Sequence, residues 1–485
     1  MTIISFFFYK NKVDTIKLSF LFFLLGLWVA SLFEPFFWDT SNVLENLYWF
    51  FDTKTISWIV PDNIDAGHPP FWAFLISLFW KLFGISHFST RIVLLPILLG
   101  IGVLYINIAR KYLDEKWVVW AILFFCFDTT VLSQLISLNA DVPILFLSLW
   151  VFWEVIHERN ALIPVLMVAL TMLSVRAWFL MPVFAGVHFI YRKNWYNTFL
   201  IFLWPSIAVL LWCVYHYYFK GWVTSAPLVS EHRNLVSFGA GLRNLIICGW
   251  KFLEFGRFFL YFVLVVVLIR NPFRKIVEIA KNELFILLLF NLFVLTMLFM
   301  MFSNPIGNRY FLVPIVVGYI CSMKAIQDMG QEMNIKPLLI SSLLIVFSGN
   351  FWKYPKTIST GWDSTLTHLP YHSLMSDFQN YVSQSGIPAS QIFTCFPMCV
   401  EEKNRILGAS NIMFSVIQDT NWVESPYILY SNASNSFTEE QREEFSQNWT
   451  EVYRLSSFYI DFVLYKNPKF IMHDRREELP NVVHE

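Results

Sequence analysis

Long apolar runs recur along this chain at residues 16–37, 91–109, 117–136, 142–156, 198–219, 252–269, 284–302, 309–323 and 337–351. In hydrocarbon a backbone has no water to satisfy its N–H and C=O groups, so runs of this length read as membrane-crossing helices. Arg176 cuts the stretch 161–190, which reads as two short helices joined outside the bilayer. The sum is about eleven spans. The first run continues into Phe36-Phe37-Trp38 without a small-residue cleavage site, so it reads as a span and not as a cleavable signal peptide.

Composition agrees. Hydrophobic residues make up 56% and charged residues 14%, with 51 Phe and 20 Trp, against about 45–50% and about 25% in soluble domains. A disordered, collagen-like or disulfide-scaffold chain is excluded, and so is an ordinary soluble enzyme. The net charge of zero hides a division near residue 351. Residues 1–351 carry 25 Lys and Arg against 19 Asp and Glu, and residues 352–485 carry 10 against 16. Neither balance suggests nucleic acid. The expected architecture is mainly α: a polytopic transmembrane helical bundle over 1–351, then a soluble α/β domain over 352–485. In that tail the pattern predicts helices near 371–384 and 438–448, and strands near 391–396, 426–431 and 458–466.

Sidedness follows from lysine and arginine in the short loops. With the N-terminus inside, the inner loops hold 15 of the 25 basic residues, from Lys10 and Lys12 to Lys324 and Lys336. Phe71–Gly84 is apolar but short, so it is expected to lie along the outer interface, inside a large outer loop spanning 38–90. The tail then lands outside. Two acceptor sequons, Asn432-Ala433-Ser434 and Asn448-Trp449-Thr450, and the Cys395/Cys399 pair are compatible with that side, although chance and two plain thiols explain them as well. No zinc-ligand spacing is present.

Ionisable groups beside the bilayer carry the chemical information, since each costs about 2.5–3.5 kcal/mol at a helix centre. Asp39 ends span one, and Asp141 opens span four in Asn139-Ala140-Asp141-Val142-Pro143. Either carboxylate could simply cap its helix. His68 sits in the turn Asp65-Ala66-Gly67-His68-Pro69-Pro70, Arg176 at a helical tip, and Arg309-Tyr310 at the head of span ten. One such arginine would snorkel. Two of them, with Arg233 and Arg243 in the same layer, suggest an anion held there. Arginines clamp phosphate oxygens and a carboxylate can take a proton from a hydroxyl, so the set suits a reaction on a lipid-linked phosphate.

In these features the sequence resembles the polytopic glycosyltransferases of family 39 in the broad sense, with the GT-C fold, including the bacterial lipid A aminoarabinose transferases and the RgtA/B/C/D-like proteins. The resemblance covers roughly residues 15–350. It rests on Asp39 after span one, the Gly67-His68-Pro69-Pro70 turn before an aromatic interfacial helix, Asp141 before span four, Arg176, and Arg309-Tyr310 with Pro314. It implies transfer of a sugar from a polyprenyl phosphate to a lipid, glycan or protein acceptor outside the bacterial plasma membrane, with inversion. By that resemblance Asp39 takes the place of the catalytic carboxylate, Asp141 that of a supporting acid, and His68 sits where relatives have a basic residue or His facing the phosphate; Arg176, Arg309 and Tyr310 are expected to bind the donor phosphate beside it. Relatives often have two acidic residues where this chain has Asp39-Thr40, which counts against a metal site, while a divalent cation stays compatible with the resemblance. A transporter or flippase of lipid-linked sugars is the competing expectation, and a receptor or assembly subunit working through its tail is another. Internal repeats and charges at span centres would favour the transporter, and this chain places its charges at span edges.

Overall fold

The computed structural model describes residues 14–53, 58–224, 234–303, 305–330, 334–355, 361–401, 404–405, 407, 412–417, 422–434 and 436–470. Lys10, Lys12, Arg233 and Asn304 lie outside these. The chain divides into two compact units, Met1–Trp352 with Asp363–Leu366, and Lys353–Trp362 with Thr367–Glu485.

The first unit is helical. It begins with α1 (Thr15–Ser31), then α2 (Asp39–Asp52) and α3 (Phe71–Phe83), which pack together as a pair. The short α4 (His87–Arg91) leads into α5 (Leu94–Tyr112), followed by α6 (Glu115–Phe127), α7 (Thr129–Ile136) and α8 (Asp141–Ile156). Next come α9 (Ile163–Thr171), the single turn α10 (Val175–Trp178), α11 (Leu180–Arg192) and the long α12 (Trp195–Lys220). The unit continues through α13 (Phe238–Leu253), α14 (Arg257–Ile269), α15 (Phe273–Ala280), α16 (Glu283–Met301), α17 (Leu312–Met329) and α18 (Lys336–Ser348).

Among the described residues, four helical stretches are long and apolar enough to cross a membrane unaided: His87–Tyr112, Trp195–Lys220, Glu283–Met301 and Asn308–Met329. The count is six if each bent pair is one span. The expected number, about eleven, therefore includes runs that fold into shorter helices, such as Thr15–Ser31 and Lys336–Phe351.

Both bends have local causes. Between α6 and α7 the axis turns by 65° because Asp128 adopts extended backbone and its carboxylate accepts from Val131 N at 2.8 Å, which starts a new helix. Between α13 and α14 the axis turns by 92°. There Phe255 and Gly256 take φ of +58° and +85°. A Cβ on Gly256 would lie 2.3 Å from the Ile345 carbonyl oxygen, so only glycine fits. The two bends are joined by a fully buried ion pair, with Arg257 donating to Asp128 at 2.9 Å. Arg257 also donates to the carbonyls of Phe252 (2.7 Å) and Lys251 (3.1 Å) at the end of α13, and the Tyr319 hydroxyl of α17 completes the group on Asp128.

The second unit is a small α/β domain. Strands β1 (Ile392–Thr394), β2 (Ser415–Val416), β3 (Tyr427–Ser431), β4 (Thr450–Ser457) and β5 (Ile460–Lys466) form one mixed sheet in the order β2-β1-β3-β5-β4. β1 runs parallel to β2 and β3, while β5 is antiparallel to β3 and β4. Successive residues of β5 point to opposite faces. Phe462 meets Tyr371 and Phe378 of α19 (Pro370–Ser385), and Tyr465 meets Phe445 of α20 (Glu439–Asn448). The helices and strands expected in the tail are present, together with β2 and β4. No disulfide joins Cys395 to Cys399.

Candidate active site

After α1 the chain must turn sharply to begin α2, and Arg91 holds that turn. Its guanidinium lies 4.8 Å from the Phe36 ring centre and donates to the carbonyls of Glu34 (2.6 Å) and Ile136 (3.0 Å). Trp38, at φ +56°, then delivers Asp39 as the first residue of α2. No side chain caps this helix, so the capping reading of Asp39 fails. Its carboxylate instead receives Nη2 of Arg309. The same holds at α8, where the preceding Ala140 supplies no side-chain cap. Asp141 accepts from Arg176 Nη1 at 2.9 Å.

Arg309 stands in a 3-10 turn, Asn308–Phe311, that opens α17. Asn308 anchors the turn by donating to Glu254 (2.6 Å) and to the Lys251 carbonyl (2.9 Å). Only 5% of Arg309 is exposed, which a snorkelling arginine would not show. Besides Asp39 it meets Asp363 at 2.9 Å and Asp141 at 3.8 Å. Tyr310 is a platform behind both arginines. The Arg176 guanidinium lies 3.9 Å from its ring centre and that of Arg309 5.1 Å, and its hydroxyl accepts from Arg309 at 3.3 Å. Two like charges share one ring because carboxylates balance them on their other sides.

His68 is set by its turn. Asp65 accepts from Gly67 N at 2.8 Å, closing an Asx turn. Gly67, at φ +72°, presses against Thr224, whose carbonyl oxygen would lie 2.6 Å from a Cβ. The other oxygen of Asp65 receives His216 Nε2 of α12 at 3.2 Å. The result is a cavity of about 170 Å³ lined by Asp39, His68, Asn139, Asp141, Arg176 and Arg309, with Asp65 and the Pro69-Pro70 step on its wall. Asp39 is 44% exposed and opens onto this recess. Burial works against its charged form, but the Arg309 guanidinium, with Arg176 and His68 nearby, outweighs burial and holds the carboxyl below its ordinary value. For Asp363 burial prevails over Arg309, and the carboxyl is raised.

The structure thus gathers Asp39, His68, Asp141, Arg176 and Arg309 around one cavity, with Tyr310 behind them. Arg243 is exposed on α13 and does not line it. Three features escaped the sequence reading. Asp363 lies beyond the last apolar run, where nothing marks it as near Arg309. Asp65 was legible only as part of a turn. A relay in which Thr40 donates to Asn139 (3.1 Å), Asn139 to Gln134 (3.3 Å) and Gln134 to the Asp363 carbonyl (2.7 Å) depends on tertiary contacts alone. Thr40, where a second acid was the alternative, is thereby committed to Asn139. Among the described residues, no three His, Cys, Asp or Glu side chains are grouped to hold a metal ion.

The chain shares its fold with proteins of known structure. It is similar to crystal structures of ArnT from Cupriavidus metallidurans. The structure of ArnT bound to undecaprenyl phosphate gives a TM-score of 0.53 at 11% identity, covering 94% of this chain and 98% of that one. The apo structure gives 0.51 at 12% identity, covering 93% and 97%. No protein-family model and no curated protein sequence matches the chain.

Proposed function

We propose that this chain is an integral-membrane glycosyltransferase that takes a sugar from a polyprenyl-phosphate carrier and gives it, with inversion, to a hydroxyl of a lipid, glycan or protein. The observation that carries this reading is the cavity in which a low-lying carboxylate, Asp39, meets the buried Arg309, with the half-buried Arg176 and a histidine beside them. The ArnT-like fold supports it, since one of those structures holds undecaprenyl phosphate.

In this reading Asp39 accepts the proton of the acceptor hydroxyl as the oxygen attacks the anomeric carbon. The bond from that carbon to the carrier phosphate oxygen breaks, and the polyprenyl phosphate leaves with the electron pair. Charge on the leaving phosphate grows during bond cleavage, so groups that bind it more strongly at that stage lower the barrier. Arg309 and Arg176 supply several N–H donors and His68 a further one, while Asp141 holds Arg176 in place. The cavity faces the non-cytoplasmic side of the membrane, as does the tail.

The test is mass analysis of lipids and glycans from cells lacking the protein, paired with turnover by purified Asp39→Asn. Loss of one sugar decoration with build-up of its polyprenyl-linked donor is expected, and the variant should fold normally without transferring. Unchanged decorations and donor pools, or near-normal turnover in Asp39→Asn, would reject the assignment.

A further inference from the structure

Asp363 is numbered beyond the last apolar run but belongs to the membrane unit, to which the chain returns for Asp363–Leu366. Its main chain is pinned to α7, because the carbonyl accepts from Ser133 Oγ at 2.6 Å and Gln134 Nε2 at 2.7 Å. Its carboxylate, 14% exposed, receives Nη1 of Arg309 at 2.9 Å, while Nη2 of the same guanidinium goes to Asp39. One arginine is therefore divided between two carboxylates. A guanidinium given whole to Asp39 would form a bidentate pair and strip that carboxylate of proton affinity.

We propose that Asp363 is a positioning residue for the transfer reaction: it holds Arg309 by one amino group, so that the guanidinium spans the site and Asp39 stays basic enough to act. This rests on the glycosyltransferase reading. The charged groups facing Asp39 are Arg309, Arg176 and His68, and those facing Asp363 are Arg309, Asp39 and Asp141. In Asp363→Asn the shape is kept and the charge is lost. Arg309 then turns further toward Asp39, which becomes a weaker base at pH values where the wild-type Asp363 is charged. The site also loses one negative charge, so it binds an anionic carrier more tightly. Affinity and turnover are thereby driven in opposite directions, which a purely structural role does not do.

The experiment compares full-length wild type, Asp363→Asn, Asp363→Glu and Ser133→Ala, using undecaprenyl phosphate as the binding probe and turnover per folded molecule. Asp363→Asn should bind the probe more tightly and turn over about tenfold more slowly near neutral pH. Asp363→Glu should recover most of the turnover. Ser133→Ala, which loosens the Asp363 main chain without changing charge, should show a smaller loss of turnover, and it carries the test if Asp363→Asn does not fold. Unchanged kcat near neutral pH, or parallel loss of affinity and turnover without rescue by glutamate, would overturn the proposal. A wild type that neither binds undecaprenyl phosphate nor consumes a polyprenyl-linked sugar would instead refute the glycosyltransferase reading itself.

Discussion

Arg309 governs the acid–base state of the cavity because it is the shared partner of Asp39, Asp363 and, at longer range, Asp141. Burial alone would raise Asp39, and the nearby guanidinium reverses that. In its proposed role as base Asp39 works only when deprotonated, so activity should be present above its lowered value and lost as pH falls through it. The acid limb of kcat/KM should therefore lie below the ordinary aspartate value of about 3.9. Arg309→Gln should raise that limb and remove most of the turnover, while Arg309→Lys, a point charge without the fork, should retain part. Both are read from pH–rate profiles of folded protein, and an acid limb that does not move in Arg309→Gln would mean that Asp39 is not the group being titrated. At this scale the sequence was informative for a physical reason. A charged side chain at the end of an apolar run is expensive unless something holds it, so Asp39, Asp141, Arg176 and Arg309 stood out. Asp363 did not, because a single Asp in a polar segment costs nothing until the chain folds it back.

Helices as units were legible where periodicity and length dominate, and the breaks within them were not. The run 117–136 reads as one span, yet it bends at Asp128, and the segment from Phe238 to Ile269 bends at Phe255-Gly256. Each bend has a local origin, and the buried Arg257–Asp128 pair joins it to the other bend, far away in sequence. Arg257 gives each bend its charge balance, so Arg257→Met should leave the Asp128 carboxylate buried and unpaired, at about 3–5 kcal/mol. Asp128→Asn with Arg257→Met buries no charge and should lose less than the single variant. Melting and detergent-extracted yield of the two proteins check this, and a double variant as unstable as the single one would show that the ion pair is not what holds the bends. The position of these bends also matters for the cavity. Asn308, one residue before Arg309, is tied to Glu254 and the Lys251 carbonyl at the end of α13. Ser133 and Gln134, which fix Asp363, lie on α7 just past the other bend.

For the molecule as a whole, the proposed placement of the tail outside the cell rests on the loop charges and on the odd number of spans expected from the sequence. The second unit shows where to probe this. Asn432 of one sequon is occupied within the fold, donating to the Tyr459 carbonyl at 2.7 Å and accepting from Asp461 N at 2.9 Å, and Ala433 and Ser434 are buried. Gln447, on the exposed side of α20, is the better reporter position. In a background lacking the native cysteines, Gln447→Cys should react with a membrane-impermeant thiol reagent in intact cells. Labelling only after lysis would place the tail inside. The tail's sheet was partly readable, because β3 and β5 are apolar runs between turn residues. β4 escaped because its alternation is mostly polar, and β2 because two residues carry no pattern.

Asp39 is synthesised early, Arg309 much later, and Asp363 only after the last helix of the membrane unit is made. A ribosome that has finished every membrane helix has still not finished the site. In a polypeptide released between Trp352 and Asp363, Arg309 would be left to Asp39 and Asp141. If Asp363 holds Arg309 as proposed, the short return of the chain at Asp363–Leu366 ties full activity to a chain made past its last membrane helix.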